Sequence, residues 1–237
     1  MLRQTSLETP RLFLRAAELN DATALLPAFS DPEVMKYWSE PPHPSITRTS
    51  EWLKSMVDSP QNGVTDFVIC LKDKNKANFD SLTHAKVIGK IGVYAAAPSN
   101  EVGFLVAREY WHQGVASEAL KYMLGYLFSL ERDEHVSARA EVVEWERDEA
   151  PRFTKLTEDE MRSQLLYPSI SADVDPRNAA SIKLLKGMGF VECGYTKDAM
   201  VVGDEKVDSL YLRLEREKWL RDRLSMNEDA RVQTASV

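Results

Sequence analysis

The hydrophobic pattern of this chain changes period many times, and the order of those changes constrains the fold more than any other feature. Residues 11–15 alternate after Pro10 and read as a strand. A helix opened by Asn20 or its neighbour carries Leu25, Leu26 and Phe29 and stops near Ser30-Asp31-Pro32, followed by a short turn at 34–38. A second helix starts at Thr47 and carries Trp52, Leu53 and Met56. Three β-rich runs follow at 66–71, 86–94 and 101–106. A helix spans about 115–130, with Leu120, Leu124, Leu127 and Phe128 at helical spacing. Residues 170–174 read as a strand, 175–186 as a helix, and 190–196 with 207–214 as a hairpin turning at Gly203-Asp204. The last helix is expected at 215–224. This alternation excludes all-α and all-β folds and predicts a mixed α/β (α+β) sheet with helices on both faces.

A chain of 237 residues with this order suits one domain, expected over residues 1–225. The polar stretch 72–85 reads as an exposed hairpin loop. Residues 131–168 are crowded with charge and read as a surface insertion, with an extra strand around 135–143 and a short helix opened by Thr157-x-x-Glu160. Residues 226–237 are polar and expected to form a flexible tail. The apolar fraction, 43%, is enough to bury a core, and the net charge of −7 opposes non-specific binding to nucleic acid or anionic membrane. Cys70 and Cys193 sit in apolar runs and are expected as buried free thiols in a reducing compartment. No secretory pattern or membrane-spanning run is visible, so the expected location is the cytoplasm.

The segment Glu109-Tyr110-Trp111-His112-Gln113-Gly114-Val115-Ala116-Ser117-Glu118-Ala119 carries the chemistry. It joins a strand to a helix through small residues. The first N–H groups of a helix have no intrahelical partner and carry partial positive charge. Gly114 and Ala116 let a phosphate approach them. By itself this is an anion site of weak specificity, and a helix opened by a glycine is the ordinary alternative. The segment is neither GxGxxG nor a P-loop, which removes dinucleotide and nucleotide-triphosphate readings.

Trp111-x-x-Gly114-x-Ala116 resembles the Q/R-x-x-G-x-G/A signature of GNAT acetyltransferases, with Trp111 at the Q/R position. Tyr110-Trp111-x-x-Gly114-x-Ala116-x-Glu118-Ala119 is similar to the form found in the ribosomal-protein-alanine N-acetyltransferase branch. So are Leu7-Glu8-Thr9-Pro10-Arg11-Leu12-x-Leu14-Arg15, Ser30-Asp31-Pro32-Glu33-Val34-Met35 and Asp175-Pro176-Arg177-Asn178-x-x-Ser181-x-x-Leu184-x-x-x-x-Gly189-Phe190. The four segments occur in the family's order across residues 7–214.

The resemblance implies a mostly antiparallel GNAT sheet of about seven strands whose central strands splay apart. It implies acetyl-CoA as co-substrate, transfer of its acetyl group to an amine, and no metal. His112, Gln113, Gly114, Val115, Ala116 and Ser117 would hold the pyrophosphate. Phe104, Leu105 and Val106 would pair with the pantetheine arm, and an N–H near Leu105 or Val106 would polarise the thioester carbonyl. Asn178 would bond the pantetheine arm, or cap its helix, or both. Ser181 is the candidate acid and Glu101 the candidate base; a polar helix residue and a strand-end charge are the plain alternatives. Many relatives use a tyrosine as acid, and its position here holds Leu185. Tyr37 and Trp38 are candidate acceptor-binding residues, as Trp52 is, with core burial the competing reading. His43, His84, His112 and His135 show no metal-ligand spacing. The expected acceptor is a peptide or protein N-terminus. A small amine or polyamine, or a non-catalytic CoA-binding role, are the alternatives. A monomer or homodimer is expected.

Overall fold

The computed structural model describes residues 6–59, 64–72, 85–94, 100–129, 141–144, 152–155 and 167–223. Its strands in chain order are β1 (Leu7–Glu8), β2 (Leu12–Arg15), β3 (Thr65–Leu71), β4 (Lys86–Tyr94), β5 (Glu101–Val106), β6 (Glu141–Glu144), β7 (Arg152–Lys155), β8 (Ser169–Val174), β9 (Val191–Val202) and β10 (Glu205–Glu215). Eight of them form one sheet in the order β1-β2-β3-β4-β5-β8-β10-β9, while β6 and β7 pair separately. Every pairing is antiparallel except β5 with β8.

Helices cover both faces. On one lies α4 (Val115–Ser129), whose Leu120, Met123, Leu124 and Leu127 pack on Leu14, Phe67, Ile69 and Ile91. On the other lie α1 (Ala22–Phe29), α2 (Pro32–Met35) and α3 (Ile46–Val57), which bury Leu25, Phe29, Met35 and Leu53 against Val68, Cys70 and Leu105. This two-sided cover explains why β3 and β4 are buried almost throughout, on both faces. It also sorts β5 by its period of two: Val102 and Val106 enter the α4 core, and Leu105 the other. The remaining helices are α5 (Ala179–Gly187) and α6 (216–223).

Several expected boundaries move. Asn20 lies in a 3-10 turn, Leu19–Asp21, and its neighbour Asp21 takes the N-cap position of α1 without a side-chain cap bond. Asp21 accepts from the Glu18 N–H at 2.8 Å and pairs with Arg15 at 2.7 Å. Ser45 caps α3 by accepting from the Arg48 N–H at 3.3 Å, so the helix begins at Ile46 rather than Thr47. The hairpin strands β9 and β10 run to 12 and 11 residues, because each extends to the turn at Gly203. Cys70 is buried as expected, but Cys193 is only half-buried; both are free. In the charged stretch, β6 lies where an extra strand was expected, while the helix opened by Thr157 falls outside the described residues. So do His84, His135, most of the 72–85 loop and the tail.

Candidate active site

The site grows from one departure in the sheet. β5 and β8 run parallel and meet at Glu101↔Ser171, where Ser171 N–H donates to Asn100 O at 3.2 Å. Past that point the ladder stops and the strands open as a wedge. The direction of each β5 main-chain group follows from its other neighbour. Ala107 N–H donates to Ile88 O at 2.8 Å, in register with Lys90↔Leu105 and Gly89↔Val106. Antiparallel pairs alternate between bonded and non-bonded. Glu101, Gly103 and Leu105 therefore spend their main-chain groups on β4, and those of Phe104 and Val106 point into the wedge. Leu105 N–H, one of the two expected donors, faces the wrong way; Val106 N–H faces the right one. Val106 O is closed by Trp111 Nε1 at 2.7 Å, which anchors the following loop to the end of β5.

That loop is the candidate anion cradle. His112 and Gly114 take left-handed φ values of 59° and 73°. The first full-turn bond of α4 runs from Glu118 N–H to Gly114 O at 3.0 Å. The N–H groups of Val115, Ala116 and Ser117 thus lack intrahelical partners. A Cβ built on Gly114 would find one atom within 4 Å, Arg11 Nη2 at 3.4 Å, so the space above the loop is open. Gln113 Nε2 donates to Glu109 O at 2.8 Å, leaving its main chain to the loop. These features suit a pyrophosphate.

Across the wedge, Asn178 Oδ1 accepts from Ser181 N–H at 3.1 Å and caps α5. Capping uses only the oxygen, so the Nδ2 donor remains for a second role. Ser181 is half-buried in the first turn. Leu185, one turn further on, is packed in the α4-side core, which explains an apolar residue there.

The α1–α3 face of the sheet forms the other side. Tyr94↔Glu101, Gly92↔Gly103 and Lys90↔Leu105 lie in line across β4 and β5. The facing glycines make room for the Asp66 carboxylate over Gly92 and for the Tyr94 and Trp38 rings over Gly103. Tyr94 Cε2 and the Trp38 ring lie 3.3 Å and 3.8 Å from where a Gly103 Cβ would sit. Trp38 is thus half-buried at the cleft, whereas Tyr37 lies under the Lys36 ammonium at 5.5 Å. Trp52 packs on Phe29 with centroids 4.4 Å apart. Lys90 is fully buried, pairs with Asp66 at 3.0 Å, donates to Tyr94 Oη, and faces Trp52 and Trp38 at 5.5 Å and 5.8 Å. Burial opposes its charge, but Asp66 and Tyr94 more than offset this and hold its pKa above the ordinary value.

At the closed end of the wedge, burial pushes the Glu101 carboxyl up to about 7, and the like charge of Asp173 adds to the rise. Asp173 follows Ser171 by two residues on β8, so it shares the face of Glu101. Its own pKa is raised by burial, partly offset by the Ser209 hydroxyl. Sequence reasoning missed Asp173. Nothing local marks it, since it is one polar residue in a strand.

A strand edge freed by its neighbour's divergence, running into an anion cradle and flanked by a carboxyl near neutrality, defines a transferase that takes a phosphate-bearing acyl donor. Residues 11–191 match the acetyltransferase (GNAT) domain, and the chain belongs to that family of acetyl-CoA-dependent acyltransferases. It is 28% identical over 197 residues to an uncharacterized N-acetyltransferase, p20, of Bacillus licheniformis, covering 81% of this chain and 86% of p20. Its fold matches a GNAT-family acetyltransferase from Bacillus anthracis with a TM-score of 0.62 and 22% identity, over 90% of this chain and 99% of that one. It also matches the Salmonella typhimurium acetyl transferase that modifies the N-terminal serine of 50S ribosomal subunit protein L7/L12 (TM-score 0.59, 13% identity, 87% of this chain and 96% of that one). No helix among the described residues is long and apolar enough to cross a membrane.

Proposed function

We propose that this chain acetylates the amine of a peptide or protein N-terminus, with Glu101 as general base. The observation that carries the chemistry is Glu101 itself. It stands where β5 and β8 part, with a pKa of about 7, so near neutral pH it both exists as carboxylate and accepts a proton well. Acetyl-CoA supplies an activated acetyl thioester. The N–H groups of Gly114, Val115, Ala116 and Ser117 hold its pyrophosphate, flanked by His112 and Gln113. Phe104 offers its main chain to the pantetheine arm, as does the Asn178 amide. Val106 N–H faces the thioester carbonyl and stabilises negative charge there. Ser181 donates a proton to the departing thiolate. Trp38 shapes the acceptor side, and Glu101 with Asp173 draws in an amine that arrives protonated.

The N-terminal acceptor is supported by the motif set of the ribosomal branch and by the fold shared with the Salmonella enzyme. The domain is assigned to residues 1–225, with 131–168 inserted. Titration with acetyl-CoA, then thiol release with peptides and with free amines, tests the reading. Micromolar binding and release with peptides is the expected result. Release with free amines alone makes the acceptor a small molecule. Absence of binding at millimolar acetyl-CoA overturns the enzyme assignment.

A further inference from the structure

Two of the sequence motifs, far apart in the chain, interlock beside the anion cradle. Glu118, in the first turn of α4, accepts from Arg11 N–H at 2.8 Å, from Arg11 Nε at 2.5 Å and from Thr9 Oγ1 at 2.5 Å. The same guanidinium donates through Nη1 to Gln113 O at 2.8 Å. We propose that Arg11 is the positioning residue of the pyrophosphate loop, a role that rests on assigning that loop to acetyl-CoA.

The argument has two parts. A peptide next to a left-handed glycine has little intrinsic preference for one orientation, because glycine tolerates φ of either sign. In a trans peptide the C=O and N–H point in opposite directions. By holding Gln113 O on its own side, Arg11 turns Gly114 N–H away from itself. The orientation is anchored rigidly, since Glu118 fixes both the main chain and the side chain of Arg11. The second part is electrostatic. Glu118 sits in the turn whose N–H groups would bind an anion. Burial works against its charge, but Thr9 and Arg11 hold its pKa below the ordinary value, so it stays ionised. Without Arg11 that carboxylate would repel a pyrophosphate. A lysine keeps the charge but cannot span Glu118 and Gln113 with a fork.

The test compares two donors on the full chain by calorimetry: acetyl-CoA, and S-acetylpantetheine, which has no phosphate. Arg11→Met is expected to weaken acetyl-CoA binding at least tenfold and to leave S-acetylpantetheine within twofold. Arg11→Lys, which guards against a folding failure of the methionine variant, is expected to weaken acetyl-CoA severalfold with the same selectivity. Arg11→Met/Glu118→Gln removes the uncompensated carboxylate and is expected to recover part of the loss. A role confined to stability would lower the melting temperature and leave both affinities alone. Equal effects on the two donors, or none, overturn the proposal. If the unaltered chain bound both donors equally well, the pyrophosphate assignment itself would fail, and the role of Arg11 with it.

Discussion

Asp173→Asn tests the acid–base assignment most sharply. Glu101 rises from an ordinary 4.5 to about 7, with burial the larger cause and Asp173 the smaller. A general base works only when ionised. Below pH 7 the folded protein holds the proton and kcat/KM falls tenfold per pH unit. With a midpoint of 7, about a tenth of the sites are ionised at pH 6 and about nine tenths at pH 8. Asp173 supplies less than half of the rise, so Asp173→Asn lowers the midpoint by less than about 1.3 pH units. The rate at pH 6 then increases, by up to about sevenfold, while the rate at pH 8 hardly changes. The assay is a pH profile of kcat/KM with one acceptor. An N-terminal amine titrates near 7.7–8.0 and adds its own limb. That limb belongs to the substrate and cannot move with an enzyme substitution, which separates the two. Glu101→Gln should lose the enzyme limb and about 10²–10⁴-fold in rate. A limb near 7 that persists in Glu101→Gln, or that stays put or moves to higher pH in Asp173→Asn, refutes the reasoning. Folding follows the same sign. The native carboxyl binds its proton more tightly than the unfolded one, so its contribution to stability falls as pH rises from 4.5 to about 7. Glu101→Gln should flatten that slope in denaturant titrations.

Three further outcomes are expected. Gly114→Glu fills the open cradle, places a side chain at a φ of 73° and adds a negative charge, so calorimetry should find acetyl-CoA binding abolished. Ser181→Ala should lower kcat several-fold and leave the Kd for acetyl-CoA within twofold; an unchanged kcat would reduce Ser181 to a helix residue. Lys90→Met removes the cation paired with Asp66, whose side chain is 3% exposed, and should cost about 3–5 kcal/mol in urea unfolding, whereas Lys90→Met/Asp66→Leu should cost much less.

The cradle was legible because its parts are neighbours in the chain. Gly114 and Ala116 lie at the junction where the hydrophobic period changes, and the unpaired N–H groups of a helix start follow from that junction alone. Glu101 was legible as a strand start, but its pKa was not, since burial and the charge of Asp173 come from β8, some seventy residues later. Leu105 illustrates the same limit at the scale of one residue. A strand's sequence does not say which of its N–H groups face which neighbour, and register with β4 turned Leu105 away and Val106 toward the wedge. Of Asn20 and its neighbour, it is Asp21 that holds the cap position of α1, because its side chain, held by Arg15, first closes a 3-10 turn.

By itself, the sequence determined the order of the main strands and helices, the family and the glycine-opened turn into α4. The order of elements and the turn depend on residues a few positions apart, where periodicity and sterics act directly, and the family on four motif segments in order across residues 7–214. Only the tertiary structure decided where β5 and β8 part, the like charge of Asp173 near Glu101, the buried Lys90–Asp66 pair and the tie from Arg11 to Glu118. Each joins residues well separated in the sequence, the last across 107 positions, and such contacts exist only after the sheet has brought its strands into register.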